Sequence, residues 1–273
     1  MRGTTTKRKT NNAIASEWDK LASSRALQLK KHEDLSMDFV LIPLLKSMSK
    51  GVDCTRVLDV GCGTGYASLD FVKQSKKFVG IDISCKSIQE ANNGSQSNAS
   101  YVVSSIEDFA RLNSEKFSLV ISNMVLMDVV NLEEVVKSIS TVMDEFSTCI
   151  ITITHPYFWP FYWGYADEDW FDYKKELEIE GYFDISLSKS ADITTHYHRP
   201  LEMYIDALLK NELEIISLFE PLPPSEVLSK YPQKWEFPRF LGIKCIKNKR
   251  MNSGTKVRVL LPHTHNSKAI SYG

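Results

Sequence analysis

From Val57 to Tyr66 the chain reads V-L-D-V-G-C-G-T-G-Y, an apolar run that stops at three alternating glycines. Gly61, Gly63 and Gly65 follow a segment with the character of a buried strand and open one with helical character. The chain must turn sharply there, and glycine also lets a ligand approach the backbone closely. A helix start adds free N–H groups and a partial positive charge, which attract an anion. A second apolar run, F-V-G-I, ends at Asp82, 21 residues after Gly61. That interval matches an acid about 20 residues beyond a glycine loop, placed to bind ribose hydroxyls. One carboxylate can accept both hydroxyl donors.

The type of nucleoside follows from what surrounds the loop. A dinucleotide loop of the G-x-G-x-x-G type would need its third glycine at position 66, which is Tyr66. Asp59 stands two residues before the first glycine. A carboxylate there would repel a pyrophosphate but suits an ammonium group. S-adenosylmethionine offers that ammonium, a sulfonium and a single carboxylate, so the charge pattern favours it over a nicotinamide cofactor.

These residues need a frame that turns at strand ends, and the chain alternates accordingly. Short apolar runs at Arg56–Val60, Phe78–Ile83, Ser100–Val103, Phe117–Ser122 and Thr148–Thr154 read as strands. Helices are expected at Tyr66–Gln74, Ser87–Asn92 and Leu132–Met143, and residues 13–48 read as helical. Such alternation implies a parallel sheet covered on both faces, and continuous runs such as CIITIT fit strands buried on both sides. The pattern stops at residue 155. Residues 156–197 have no clear period and read as an insertion capping the sheet. The alternation then resumes with a helix over Arg199–Lys210 and strands at Glu214–Phe219 and Phe240–Lys247. The expected units are a basic terminus (1–12), a helical lid (13–50), a cofactor-binding core (51–155), the cap (156–197), the rest of the core (198–248) and an extension (249–273). Val257–Leu261 could add an edge strand.

Composition narrows the class. The 273 residues carry a formal net charge of -1, which favours no polyanion partner. Arg2, Lys7, Arg8 and Lys9 read as a solvated, frayed terminus rather than a nucleic-acid arm. No apolar run approaches the roughly 18 residues needed to span a membrane, and no secretory signal follows the basic start. Cys54, Cys62, Cys85, Cys149 and Cys245 are odd in number and scattered, without a C-x-x-C pair. No disulfide framework or metal site is expected, and a reduced cytoplasmic protein, monomeric or homodimeric, is the simplest reading.

VLDVGCGTGYAS resembles motif I of the class I S-adenosylmethionine-dependent methyltransferases, and VGIDIS their ribose-binding segment. YVVSSIEDF resembles the third-strand motif that holds the adenine. FSLVISNMVLMDV resembles the fourth-strand motif beneath the methionine and the reacting methyl. The resemblance covers roughly residues 55–155. It implies an α/β, Rossmann-like, doubly wound and mostly parallel seven-stranded sheet with helices on both faces, here with an aromatic-rich cap insertion. It also implies that Gly61, Gly63 and Gly65 line the methionine end, that Asp59 helps hold the amino group, and that Asp82 and Ile83 meet the ribose. Many members have an acid where this chain has Ser105, so the backbone N–H and apolar packing of Ile106, and the acids Glu107 or Asp108, become the alternatives toward adenine. Asn123 and Met124 fall where the fourth strand meets the cofactor.

Methyl transfer needs alignment and exclusion of water more than strong catalysis, although a hydroxyl acceptor benefits from a base. The base candidates are His155, directly after the fifth strand, and His196 and His198 at the end of the cap. Residues 157–173 hold ten aromatics, three of them tryptophan. Tyr157, Trp159, Trp163 and Tyr197 are therefore candidate contacts for a small acceptor that is apolar, flat and aromatic, or cationic, the last suggested also by the acids Asp167, Glu168, Asp169 and Asp172. HPYFW, YHRPLEMYIDALL and FLGIKCIK also resemble small-molecule methyltransferases of the type 11 kind. The segment around Trp18 and residues 34–47 is expected to close over the cofactor. Rival readings are an RNA or protein methyltransferase, a nicotinamide oxidoreductase and a non-catalytic relative. S122-N-M-V125 lacks the D/N-P-P-Y/F of amino-methylating nucleic-acid enzymes, and an acidic cap would repel phosphates.

Overall fold

The computed structural model describes residues 3–93, 95–188 and 190–248. The extension 249–273, with the edge strand suggested at Val257–Leu261, lies outside them.

Seven strands form the main sheet: β2 (Arg56–Val60), β3 (Lys77–Asp82), β4 (Ala99–Val103), β5 (Phe117–Asn123), β6 (Met143–Thr154), β9 (Leu213–Phe219) and β10 (Phe240–Lys247). Their order is β4-β3-β2-β5-β6-β10-β9, and β10 alone runs against its neighbours. Alternation along each strand separates two cores. Leu58, Val60, Val79, Ile81 and Val120 face α5 (Ile106–Leu112), α6 (Leu132–Thr141) and α8 (Leu201–Lys210). Val57, Phe78, Leu119 and Ile121 face α2 (Ile42–Met48) and α3 (Leu69–Gln74). Strands buried on both sides explain why these segments read as unbroken apolar runs. The strand order reverses between β2 and β5, and their carboxyl ends leave a crevice at that switch point, where open α/β sheets bind ligands.

Several elements differ from expectation for local reasons. Residues 13–48 are not one helical stretch. α1 (Asn11–Lys30) ends where His32 takes a φ of 57°, and Asp34 then accepts the Met37 N–H to start the next helical segment. The helix expected at Tyr66–Gln74 opens with a 3-10 turn over Tyr66–Ser68, and α3 proper begins at Leu69. A further helix, α5, was not anticipated; the Ser105 side chain caps it by accepting the Asp108 N–H. α4 (Cys85–Asn92) begins two residues before the expected start, and β6 starts at Met143 rather than Thr148.

The basic terminus is not frayed over the described residues. β1 (Gly3–Thr5) is an edge strand of a second, three-stranded sheet with β7 (Leu177–Tyr182) and β8 (Ile193–His198). The Lys9 N–H donates to Glu178, and its ammonium pairs with Glu17 and Glu180. The cap region 156–197 thus holds β7, most of β8 and the short α7 (Trp159–Trp163).

Gly80 sits in β3 where a Cβ would meet Tyr101 Cδ1 at 2.6 Å and Cys62 Sγ at 2.9 Å. Gly80→Ala is expected to lower stability by about 1–3 kcal/mol through overpacking, read as a reduced urea midpoint at unchanged slope.

Candidate functional site

The loop after β2 is held from the neighbouring strand. Gly61 and Cys62 both donate their N–H groups to the Ile81 carbonyl, at 2.8 and 2.9 Å. Gly61 has a φ of 68°, and a Cβ there would lie 2.4 Å from Val125 Cγ2. Gly63 has a φ of 53°, lines the cavity described below, and would point a Cβ at no atom within 4 Å. Glycine at 61 is therefore demanded by packing and conformation, and glycine at 63 leaves its backbone open to a ligand. Asp82 takes the Gly63 N–H on Oδ2 and the Ser84 N–H on Oδ1, each at 2.8 Å. Each oxygen keeps a lone pair for a further donor. Burial nonetheless raises the Asp82 pKa, against the lowering effect of those N–H bonds.

A cavity of about 310 Å³ runs from this loop to the cap. Gly61, Gly63, Asp82, Ile83, Ser105, Ile106, Glu107, Asn123 and Met124 line its lower part. Asn123 Oδ1 accepts from the Thr152 hydroxyl at 2.7 Å, and Met124, with a φ of 60°, donates its N–H to the Thr152 carbonyl. Two residues expected beside the cofactor do not form this wall. Gly65 packs against Tyr101. Asp59 lies behind the loop, 2 % exposed, accepting a hydrogen bond from Ser68. Burial, reinforced by Asp82, pushes its pKa up to about 7 despite the Ser68 bond.

α1 and the segment after it close one side of the cavity with Trp18, Arg25, Asp34 and Met37. Trp159, Tyr162, Trp163, Thr194, His196, Arg239 and Phe240 close the upper end. The three histidines are thereby separated. His196 lines the cavity, with its ring centre 5.6 Å from that of Trp163. Burial pushes its pKa down to about 3, so the imidazole is neutral. His155 does not line it: Nε2 bonds Glu220 at 2.9 Å, and Nδ1 faces the Tyr157 and Phe158 N–H groups at 3.3 Å. His198 shares a face of β8 with His196 but lies beyond the cavity, bonded to the Tyr173 carbonyl at 3.0 Å and packed on Phe171. Of the four aromatic candidates, Trp159 and Trp163 reach the wall. Tyr157 is 53 % exposed, and Tyr197 points to the opposite face of β8, under Arg199. The sequence reading did not single out Arg25, Asp128, Tyr162 or Arg239, all on the wall. Asp128 carried one signal, an acid in the apolar stretch M-V-L-M-D-V-V just past a buried strand.

A family model described as a methyltransferase domain matches residues 52–188, half of the chain. The chain belongs to this methyltransferase-domain family. No curated protein matches it. A Listeria monocytogenes structure proposed to be an S-adenosylmethionine-dependent methyltransferase is 24% identical, with a TM-score of 0.60 over 75% of this chain and 96% of that one. An S-adenosylmethionine-dependent methyltransferase from Mesorhizobium loti is 17% identical, with a TM-score of 0.55 over 75% and 96%. One from Thermotoga maritima, described as a possible histamine N-methyltransferase, is 15% identical, with a TM-score of 0.55 over 85% and 99%. The fold of this methyltransferase is thus the one shared by S-adenosylmethionine-dependent enzymes.

The cavity of the methyltransferase suits that cofactor. Its lower wall offers an open glycine backbone and a carboxylate with spare lone pairs. Arg25 Nη1 is buried without a hydrogen-bond partner, while its Nη2 pairs with Asp34 at 2.6 Å. An orphaned guanidinium N–H on this wall complements a ligand carboxylate. Among the described residues no group of three His, Cys, Asp or Glu side chains could hold a metal ion. No helix among them is long and apolar enough to cross a membrane.

Asp82→Ala is expected to weaken S-adenosylmethionine binding at least about tenfold in a folded protein, read by calorimetry. His198 allows a pH prediction. Burial pushes its pKa down to about 4, against about 6.5 unfolded, so the unfolded chain binds the proton first. The neutral form stabilises the fold above pH 6.5, and this contribution is lost as pH falls toward 4. The stability gap between the wild type and His198→Asn should therefore narrow from pH 7 to pH 5, by up to about 1.4 kcal/mol per pH unit in urea unfolding.

Proposed function

We propose that this protein transfers a methyl group from S-adenosylmethionine to a small, flat and largely apolar acceptor held beneath the aromatic cap. The observation that supports this most is the continuity of one cavity from Gly61 and Asp82 to Trp159, Trp163 and His196. Cofactor and acceptor can meet there in one continuous space.

When bound, S-adenosylmethionine supplies an electrophilic methyl on a sulfonium. The chain's own groups do the rest. Asp82 accepts from the ribose hydroxyls while still fixing the glycine loop. Arg25 takes the carboxylate on its spare N–H. Ile83 and Ile106 offer apolar contact to the base, and Glu107 stands at the start of α5 where a polar contact to adenine would fall. Asp59, buried behind the loop and bonded to Ser68, supports the loop rather than touching the ligand. Trp159, Tyr162 and Trp163 give the acceptor rings to stack on, and the buried Trp159 Nε1–H, which has no partner, would donate to a polar atom of the ligand. The neutral imidazole of His196 is the group placed to accept a proton.

The aromatic and largely apolar lining of the upper end favours a small flat acceptor over a phosphate-bearing one. The proposal is tested with labelled S-adenosylmethionine and a panel of small aromatic nucleophiles. His196→Asn should lower kcat at least about tenfold with cofactor affinity within about twofold. A folded wild type that takes up neither S-adenosylmethionine nor S-adenosylhomocysteine would end this reading.

A further inference from the structure

The upper end of the cavity carries a carboxyl group that the proposed cofactor contacts do not use. β5 ends at Asn123, and the chain then folds back, the Asp128 N–H donating to the Val125 carbonyl at 2.8 Å. This sets the Asp128 side chain in the cavity wall, 15% exposed. Its Oδ1 lies 3.7 Å from His196 Nδ1, too far for a direct hydrogen bond and close enough to share a ligand. Trp159 and Trp163 lie against the same imidazole, with ring centres 6.3 and 5.6 Å away.

The other charges near Asp128 are committed elsewhere. Glu17, on α1, accepts the Thr195 N–H and hydroxyl and pairs with Lys9. Arg199 pairs with Glu176 at 2.6 Å and donates to the carbonyls of Leu126 and Val129. Burial, with Glu17 adding repulsion, makes the Asp128 carboxylate costly to ionise, and Arg199 offsets this only in part. A cation in the cavity would relieve that cost. A carboxylate beside tryptophan faces is a combination that recognises an organic cation, by ion pairing and by cation–π attraction. A carboxylate or phenolate ligand would be repelled by the same group.

We propose, building on the methyl-transfer reading above, that the acceptor is an aromatic amine-bearing molecule whose ammonium is held by Asp128 and whose proton passes to the Asp128–His196 pair. The nitrogen enters protonated and gives one proton to the pair, which frees its lone pair. The lone pair then forms a bond to the methyl carbon as the carbon–sulfur bond breaks. The bonding electrons go to sulfur, which becomes a neutral thioether. The product leaves as a methylated ammonium, carrying the positive charge the sulfonium has lost. The proton held by the pair returns to solvent as the product leaves.

The test uses the full chain saturated with S-adenosylhomocysteine. Tryptamine and phenethylamine are compared with their alcohols, tryptophol and phenethyl alcohol, by calorimetry. The amines should bind at least about tenfold more tightly than the alcohols, and Asp128→Asn should abolish that preference. His196→Gln should keep the preference in binding, lower turnover of the amines with labelled S-adenosylmethionine, and shift the pH profile of kcat. Equal or tighter binding of the alcohols, absence of amine binding, or a preference that survives in Asp128→Asn would overturn the proposal. S-adenosylhomocysteine titrated into each variant separates a failed fold from a lost subsite. A wild type without uptake of S-adenosylhomocysteine would instead bring down the methyltransferase reading itself.

Discussion

The carboxylate of Asp82 spans two strand ends. One oxygen takes the N–H of Gly63 from the loop after β2, and the other takes the N–H of Ser84 at the start of α4. Two left-handed glycines and a shared carbonyl at Ile81 complete the clasp. Without it, the loop would be free to fold into the crevice between β2 and β5, and the cavity would lose its floor. In the function proposed above the same carboxylate would also take the ribose hydroxyls, so holding the loop and gripping the sugar would fall on one side chain. Ser84 is itself tied down, its hydroxyl bonding Asp19 of α1 at 2.7 Å. The lid helix is therefore coupled to the floor through a chain of hydrogen bonds.

The site is a place where burial works against charge. Asp59, Asp82 and Asp128 all have raised pKa values, chiefly through burial. Two of them, Asp82 and Asp128, line the cavity, where poorly solvated carboxylates are unfavourable and a cationic ligand is the simplest compensation. Lowered values at His196 and His198 follow from the same cause with the opposite sign. The fold thereby holds ready-made complementarity for positive charge, and keeps these two histidines neutral.

What could be read from the sequence was local. The glycine loop, the acid at the end of the next strand and the buried strands are each written in a few adjacent residues. β10 was placed at its observed limits because its apolar run is bounded by prolines before and polar residues after. Other features depend on distant partners. α5 is a short helix of 7 residues whose start is announced only by a capping serine. The histidines followed a sound rule, since 196 and 198 do share a face, but alternation along β8 does not tell where a cavity ends. Arg239 and Tyr162 meet on the wall, 3.9 Å from guanidinium carbon to ring centre, only because β10 lies beside β6. The ladder between β1 and β7 leaves no signature in Gly3–Thr5, whose partners come from the far part of the chain.

That small ladder has a consequence for the order of assembly. Gly3 pairs with Gly181 and Thr5 with Ile179, so the strand made first waits for one made late. Joining segments so far apart costs loop-closure entropy, and such contacts form after the local βα units have condensed. During synthesis the nucleotide crevice can therefore take shape while its roof is still missing. Trp159 of α7 also packs on Phe240 of β10, so the roof lacks part of its footing until the last described strand of the main sheet is made.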